Sequence, residues 1–319
     1  MSEIRTISIK NFKTHSGAIY PKINLYYQQF GRQIGKAPIV LVNHSLTGDA
    51  NLTGDAGWWT EIIGKGKIID TDKYTILGFN IPGNGVKGQI FNKPEDFHTG
   101  DIASLFLLGL SNLKIKKLYA LIGGSIGGGI AWEMAAISKD ITKFLVPIAA
   151  DWKANDWIIA NTFLQKRIIE NSKKPLQDAR IHAMLTYRTP QSFENRFGRT
   201  LNKEQGIFNI ESWLIYHGEK LQKRFQLKAY VMMNHLLSSI NIEREGEIAL
   251  NIIKNIKSEI HIVAIDSDLF FTPIEDQKTF NSCKKVKKNI YYHEIKSLHG
   301  HDAFLIESQS MEKILSKIF

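Results

Sequence analysis

Leu121-Ile122-Gly123-Gly124-Ser125-Ile126-Gly127-Gly128-Gly129-Ile130 places one serine among five glycines, between two apolar ends. The residues ahead of it, Lys117 to Ile122, form an apolar run of strand length. Behind it Ile130, Met134 and Ile137 recur at helical spacing. Strand, tight turn and helix therefore meet at Ser125. The pattern Gly123-x-Ser125-x-Gly127 is that of a nucleophile elbow: glycines on both sides let strand and helix backbones approach, and the serine takes a strained conformation that exposes its hydroxyl. The competing reading is a glycine-rich turn that cradles phosphate. No Gly-Lys-Ser/Thr follows, and the spacing misses Gly-x-Gly-x-x-Gly with a suitably placed acid downstream.

Working outward, Ile4 to Lys10 and Ile23 to Phe30 read as opening strands joined by a turn at Ser16-Gly17. The continuous apolar runs Pro38 to Asn43, Tyr74 to Asn80 and Phe144 to Ala149 suit buried parallel strands. Thr99 to Leu113 has a helical period. Strands alternating with helices predict a mostly parallel sheet covered on both faces, in an α/β fold. From Asp151 to about Asn255 the texture changes to helix periods with charged faces and no convincing strand, which predicts an inserted helical lid. Strand texture resumes at Glu259 to Ile265 and Asn289 to Ile295, and a helix over Ala303 to Phe319 follows. The expected organisation is thus a first core part over residues 1–150, a helical lid over 151–255 and a second core part over 256–319.

A chain of 319 residues is long enough to bury an ample core. The net charge of +10 invites a nucleic-acid reading, supported locally by Lys284-Lys285-Val286-Lys287-Lys288. No nucleic-acid motif accompanies that run, so it reads as a solvated face, and the charge suits anionic small molecules such as coenzyme A. A lone cysteine, Cys283, excludes an internal disulfide. With no apolar signal run at Met1 to Arg5, this predicts a cytoplasmic protein. No apolar stretch approaches membrane-spanning length, so no membrane partner is expected. Asp49-x-Asn51-x-Thr53-Gly54 resembles the start of a calcium loop, but Thr60 stands where a bidentate glutamate is needed; no metal is expected.

A serine hydroxyl needs a base to take its proton and an acid to orient that base. In hydrolase-type folds the order is Ser, then Asp or Glu, then His, each on a loop after a strand. The strand ending at Ile265 runs into Asp266 and Asp268, and the one ending at Ile295 runs into His299 and His301. Chemistry alone does not separate the two acids. Of the histidines, His301, preceded by Gly300 and opening a helix, fits the pattern better. The loop His44-Ser45-Leu46-Thr47-Gly48 follows an early strand, so the backbone N–H of Leu46, with that of Ile126, forms the candidate oxyanion hole. His44 reads as a loop hydrogen-bonder. Pro82-Gly83-Asn84-Gly85 is a glycine-rich loop at the carboxyl edge of the sheet, where ligands bind in open α/β folds.

Over nearly its whole length the chain resembles the homoserine O-acetyltransferases of the α/β-hydrolase superfamily. The matching stretches include His44 to Gly48, Gly57-Trp58-Trp59, Ile69 to Asp72, Gly123 to Gly128, Leu185-Thr186-Tyr187-Arg188, Arg196-Phe197, His217 to Lys220, Ser267 to Phe270 and Gly300 to Leu305. The resemblance implies an α/β-hydrolase fold and a catalytic triad of Ser125, Asp268 and His301, with Asp266 and His299 dispensable. It also implies substrate contacts by Arg180, which stands eight residues before Arg188, and by Asp302. The implied reaction is acetyl transfer from acetyl-CoA to L-homoserine through an acyl-serine, a step of methionine biosynthesis, with no resident cofactor and with a homodimer formed through the lid helices. The same residues leave a succinyl donor, a serine acceptor or plain esterase or thioesterase chemistry open, with a catalytically silent binding module as the reading from another class. Two stretches depart from the family: Ile81 to Gly88, at the expected approach of the acyl donor, and a shortened connection over Ile168 to Pro175.

Overall fold

The computed structural model describes residues 3–244 and 246–319. Eight strands form one sheet: β1 (Arg5–Lys13), β2 (Ile19–Gly31), β3 (Ile39–Asn43), β4 (Thr75–Phe79), β5 (Leu118–Gly124), β6 (Thr142–Ile148), β7 (Glu259–Ile265) and β8 (Ile290–Ile295). Their spatial order is β1-β2-β4-β3-β5-β6-β7-β8. β1 and β2 form an antiparallel hairpin, β2 pairs antiparallel with β4, and every later pairing is parallel.

The period-2 alternation of the strands explains why the sheet is covered twice. Leu41, Leu121 and Leu145 face one core, which is packed by helices α1 (Thr99–Asn112) and α2 (Ile126–Ile137). Val40, Val42, Ile122 and Val146 face a second core, filled by Trp59, Ile62, Met311 and Leu315. Apolar side chains on both faces leave the central strands no wet side, which is why their sequences read as continuous runs.

Between β6 and β7 lie helices α3 (Asp156–Asn171), α4 (Pro175–Tyr187), α5 (Pro190–Phe197), α6 (Asn209–Arg224), α7 (Leu227–Ser238) and α8 (Ala249–Asn255). α3 packs on α4 and α7, and α4 packs on α6. One departure from the sequence expectation falls here: Leu201–Asn202 and Ile207–Phe208 pair as a two-residue hairpin, too short for any alternation to register. Beyond β7 come α9 (Pro273–Lys284), α10 (Ala303–Ile306) and α11 (Ser308–Leu315). The single C-terminal helix expected from Ala303 is thus two helices with a break at Glu307.

The start of α2 packs closely on the ends of β5 and β3. A Cβ on Gly123 would lie 2.1 Å from the carbonyl oxygen of Gly127, and a Cβ on Gly127 would lie 2.5 Å from the carbonyl oxygen of Asn43. Neither neighbour is a flexible side-chain end, so the sheet and helix must separate to admit a methyl group. Gly127→Ala should therefore destabilise the protein by about 1–3 kcal/mol, the range for overpacking a well-filled core, measured as a lower midpoint in chemical denaturation. An unchanged midpoint would contradict the close packing.

Candidate active site

β5 ends at Gly124 and α2 begins at Ile126, so Ser125 carries the whole reversal of direction. Its φ of 57° and ψ of −129° are costly for a residue with a side chain, at about 1–3 kcal/mol. The chain on either side holds it there: the N–H of Ser125 donates to Ile148 O at 2.9 Å, and Ser125 O accepts from the N–H of Gly128 at 2.8 Å. Ser125 is 4% exposed and borders a cavity of about 490 Å³.

His301 borders the same cavity. Its Nδ1 lies 2.7 Å from Asp268 Oδ2. Asp268 is held in turn, because its Oδ1 accepts from the N–H groups of Phe270 at 2.7 Å and Phe271 at 3.0 Å. A carboxylate with those donors accepts the Nδ1 proton and leaves Nε2 as the free basic nitrogen of His301. Phe270, Phe271, Tyr187 and Phe304 surround the imidazole with ring centroids 5.3 to 5.9 Å away. Burial among them pushes the imidazole pKa down, but the charge and hydrogen bond of Asp268, with Asp302 adding to them, lift it above the ordinary value.

Asp266 and His299 lie elsewhere. Asp266 Oδ1 accepts from the N–H of Ser297 at 2.9 Å, and His299 Nδ1 sits 3.4 Å from both Arg188 Nη1 and Ser192 Oγ. Both border a separate surface groove. The backbone thus turns one acid and one histidine of each loop inward and the other pair outward.

Leu46 is a cavity residue and Ile126 is the first residue of α2. Neither backbone N–H has a hydrogen-bond partner among the described residues. Two unpaired donors, one at a helix N-terminus, suit an oxyanion. His44, fully buried, fixes the loop carrying Leu46: its Nε2 accepts from the N–H of Ile81 at 3.0 Å, so its Nδ1–H donates to Ser45 O at 2.8 Å. Burial lowers its pKa, in keeping with that neutral tautomer. The loop over residues 81–88 therefore has a different place from the one expected of it. None of its residues borders the cavity; it supports His44 and packs against α7, with Gly83 close to Met232 and Gly85 close to Ala229.

The substrate residues expected from the resemblance, Arg180 and Asp302, both border the cavity. Arg180 is half-buried on α4, and its guanidinium lies 5.6 Å from the ring centroid of Tyr187, seven residues on and on the same helix face. Asp302 Oδ2 accepts from Arg188 Nε at 3.0 Å, while no partner of Oδ1 is found among the described residues. Four further residues carry no role in the sequence reading. Tyr187 borders the cavity, and burial pushes its phenol up to about 12. Arg188 ties the end of α4 to Asp302. Lys220 and Arg224 border the cavity from α6. The spacing of seven between Arg180 and Tyr187, and of four between Lys220 and Arg224, is the signal that a helical-face reading would have used.

A serine on a strained elbow and a buried Asp–His pair facing one cavity, on this sheet order, define an α/β-hydrolase-fold enzyme; residues 38–167 match the model of the alpha/beta hydrolase fold family. The homoserine O-acetyltransferase of Chloroherpeton thalassium is 34% identical over 338 residues, 96% of this chain and 87% of its own length. The chain belongs to the homoserine O-acetyltransferase family. Among solved structures, homoserine O-acetyltransferase from Staphylococcus aureus superposes with a TM-score of 0.82 at 24% identity, covering 99% of this chain and 95% of that one. Esterase E22 superposes with a TM-score of 0.83 at 18% identity, covering 99% of this chain and all of its own. At these identities the superpositions speak for the fold.

The geometry separates the two candidate acids experimentally. Asp268→Asn should lower kcat by up to about 10⁴, the loss known for a triad acid replaced by its amide, whereas Asp266→Asn should stay within about threefold, as for a surface substitution. In the unsubstituted enzyme the base must be neutral, and its raised pKa means that protonation persists to higher pH. Activity should therefore fall on acidification with a midpoint above the ordinary imidazole value of about 6.5. A pH–rate profile with a midpoint below that value would contradict the His301–Asp268 pairing.

Proposed function

We propose that the protein transfers an acetyl group from acetyl-CoA to the hydroxyl of L-homoserine by a two-step acyl-serine route. The observation that carries the proposal is the cavity shared by Ser125, His301, Arg180 and Asp302. In the first step His301 Nε2 takes the Ser125 proton as Oγ attacks the thioester carbonyl. The N–H groups of Leu46 and Ile126 stabilise the oxyanion, each such donor being worth about 10²–10³ in rate. The carbon–sulfur bond then breaks, and the imidazolium returns its proton to the CoA thiolate. In the second step the same imidazole deprotonates the γ-hydroxyl of homoserine as it attacks the acyl-serine carbonyl; the bond from the carbonyl carbon to Ser125 Oγ then breaks, and the imidazolium returns its proton to that oxygen.

A free amino acid brings a carboxylate and an ammonium on one carbon, and both need partners in a confined site. The Arg180 guanidinium suits the carboxylate, and Asp302 Oδ1 suits the ammonium. Arg188 on Oδ2 leaves that second oxygen available. No resident cofactor enters these steps; acetyl-CoA is a co-substrate. The helices between β6 and β7 serve as the lid that excludes water from the acyl-enzyme. That lid exposes Trp157, Phe163, Leu185 and Tyr216, apolar surface suited to a homodimer; a monomer in sedimentation at micromolar concentration would contradict it. The proposed location is the cytoplasm, where acetyl-CoA is made and used.

Thiol release from acetyl-CoA, with and without L-homoserine, tests the reading against plain hydrolysis by the same triad. Transfer predicts strong dependence on the acceptor; release that ignores homoserine would make the protein an esterase or thioesterase. Arg180→Ala should weaken the acceptor half-reaction by about 2–5 kcal/mol, typical of one partner lost from a desolvated charge pair, and spare acylation by acetyl-CoA. Equal loss in both half-reactions would contradict the acceptor role.

A further inference from the structure

The charges around the cavity do not balance against the acceptor and acyl group alone. Arg180, Lys220 and Arg224 border it, with Asp49 and Asp302 as the acids. Asp302 is neutralised by Arg188, which lies outside the lining. Neither Arg180 nor Lys220 has an ion-pair partner among the described residues. Homoserine is a zwitterion and an acetyl group is neutral, so neither brings net negative charge. The cations therefore exceed what those two groups answer.

Lys220 and Arg224 stand four residues apart on α6, so both side chains lie on one helix face. Both are exposed, whereas Arg180 is half-buried, which places the excess charge at the mouth of the cavity. Arg224 Nη1 donates to Thr47 O at 2.8 Å, beside Leu46 of the oxyanion loop. Arg224 is exposed as a residue, yet desolvation around its guanidinium, and after it the like charge of Arg180, lower its pKa, with Asp49 opposing, so Arg180 and Arg224 feel one another. Two cations on an exposed rim, leading inward to Ser125, form a gradient that attracts and orients an anion whose reactive end is neutral.

Resting on the acyl-transfer reading above, we propose that Lys220 and Arg224 form an anion subsite at the cavity mouth that holds the phosphate groups of the coenzyme A donor. The pyrophosphate and 3′-phosphate remain at the α6 rim, and the uncharged pantetheine arm runs inward to present the thioester to Ser125. Arg224 also holds the oxyanion loop through Thr47, so Lys220, which makes no such contact, is the cleaner position to test.

The test compares acetyl-CoA with S-acetyl-pantetheine, which carries the same thioester and lacks the phosphates. The unsubstituted enzyme should prefer acetyl-CoA in kcat/KM, and the preference should shrink as salt is raised. Lys220→Ala should cut the preference by about 3- to 5-fold, the effect of one exposed charge pair. Lys220→Glu should cut it by about tenfold, mostly through the KM for acetyl-CoA. A preference that neither substitution alters would overturn the subsite while leaving acyl transfer standing. An unsubstituted enzyme that releases thiol from neither donor would overturn the acyl-transfer reading and the subsite with it.

Discussion

The contact between β5 and α2 is the constraint on which the rest of the site depends. With glycine at positions 123 and 127 the helix backbone rests directly on the strand ends, and the chain between them has one residue in which to turn. Ser125 therefore adopts a positive φ, held by hydrogen bonds to β6 and to the first turn of α2. The same turn leaves the N–H of Ile126 unpaired. The strain at Ser125, its place at the cavity and the unpaired N–H of Ile126 among the described residues are thus three consequences of a single close approach. Overpacking it with one methyl group reaches the chemistry as well as the stability.

Around that point the site is assembled from parts that the sheet brings to one edge. The carboxyl ends of β3, β5, β7 and β8 deliver Leu46, Ser125, Asp268 and His301. Each is then set by local bonds: His44 fixes the loop of Leu46, and the N–H groups of Phe270 and Phe271 fix Asp268. The helices between β6 and β7 add Arg180, Tyr187, Lys220 and Arg224, so Ser125, Asp268 and His301 come from loops of the sheet and most of the charged lining comes from those helices.

The sheet was legible in the sequence because central parallel strands are apolar on both faces. All eight strands fall where their runs predict, with β1 and β2 extending a few residues further. The elbow was legible for a different reason: close backbone approach demands glycine at fixed offsets from the serine. Pairs on one short loop were hard to separate. Asp266 and Asp268, or His299 and His301, have the same chemistry and nearly the same address, and the hydrogen bonds that turn one inward are tertiary; the pattern after the last strand favoured His301 only slightly, and Asp268 rested on the family resemblance alone. The 81–88 loop misled because glycine-rich loops at a carboxyl sheet edge usually meet ligand, whereas here α7 covers it. The role of Arg188 was not legible because its partner, Asp302, lies 114 residues away in the chain.

The central claim is that Ser125 carries the acyl group between two half-reactions. Mixing the enzyme with acetyl-CoA in the absence of any acceptor, quenching in acid and analysing the peptides by mass spectrometry tests it most directly. An acetyl adduct on the peptide containing Ser125 is expected, formed with stoichiometric release of CoA and discharged when L-homoserine is added before the quench. Acetyl transfer to homoserine with no adduct on Ser125 at any quench time would contradict it.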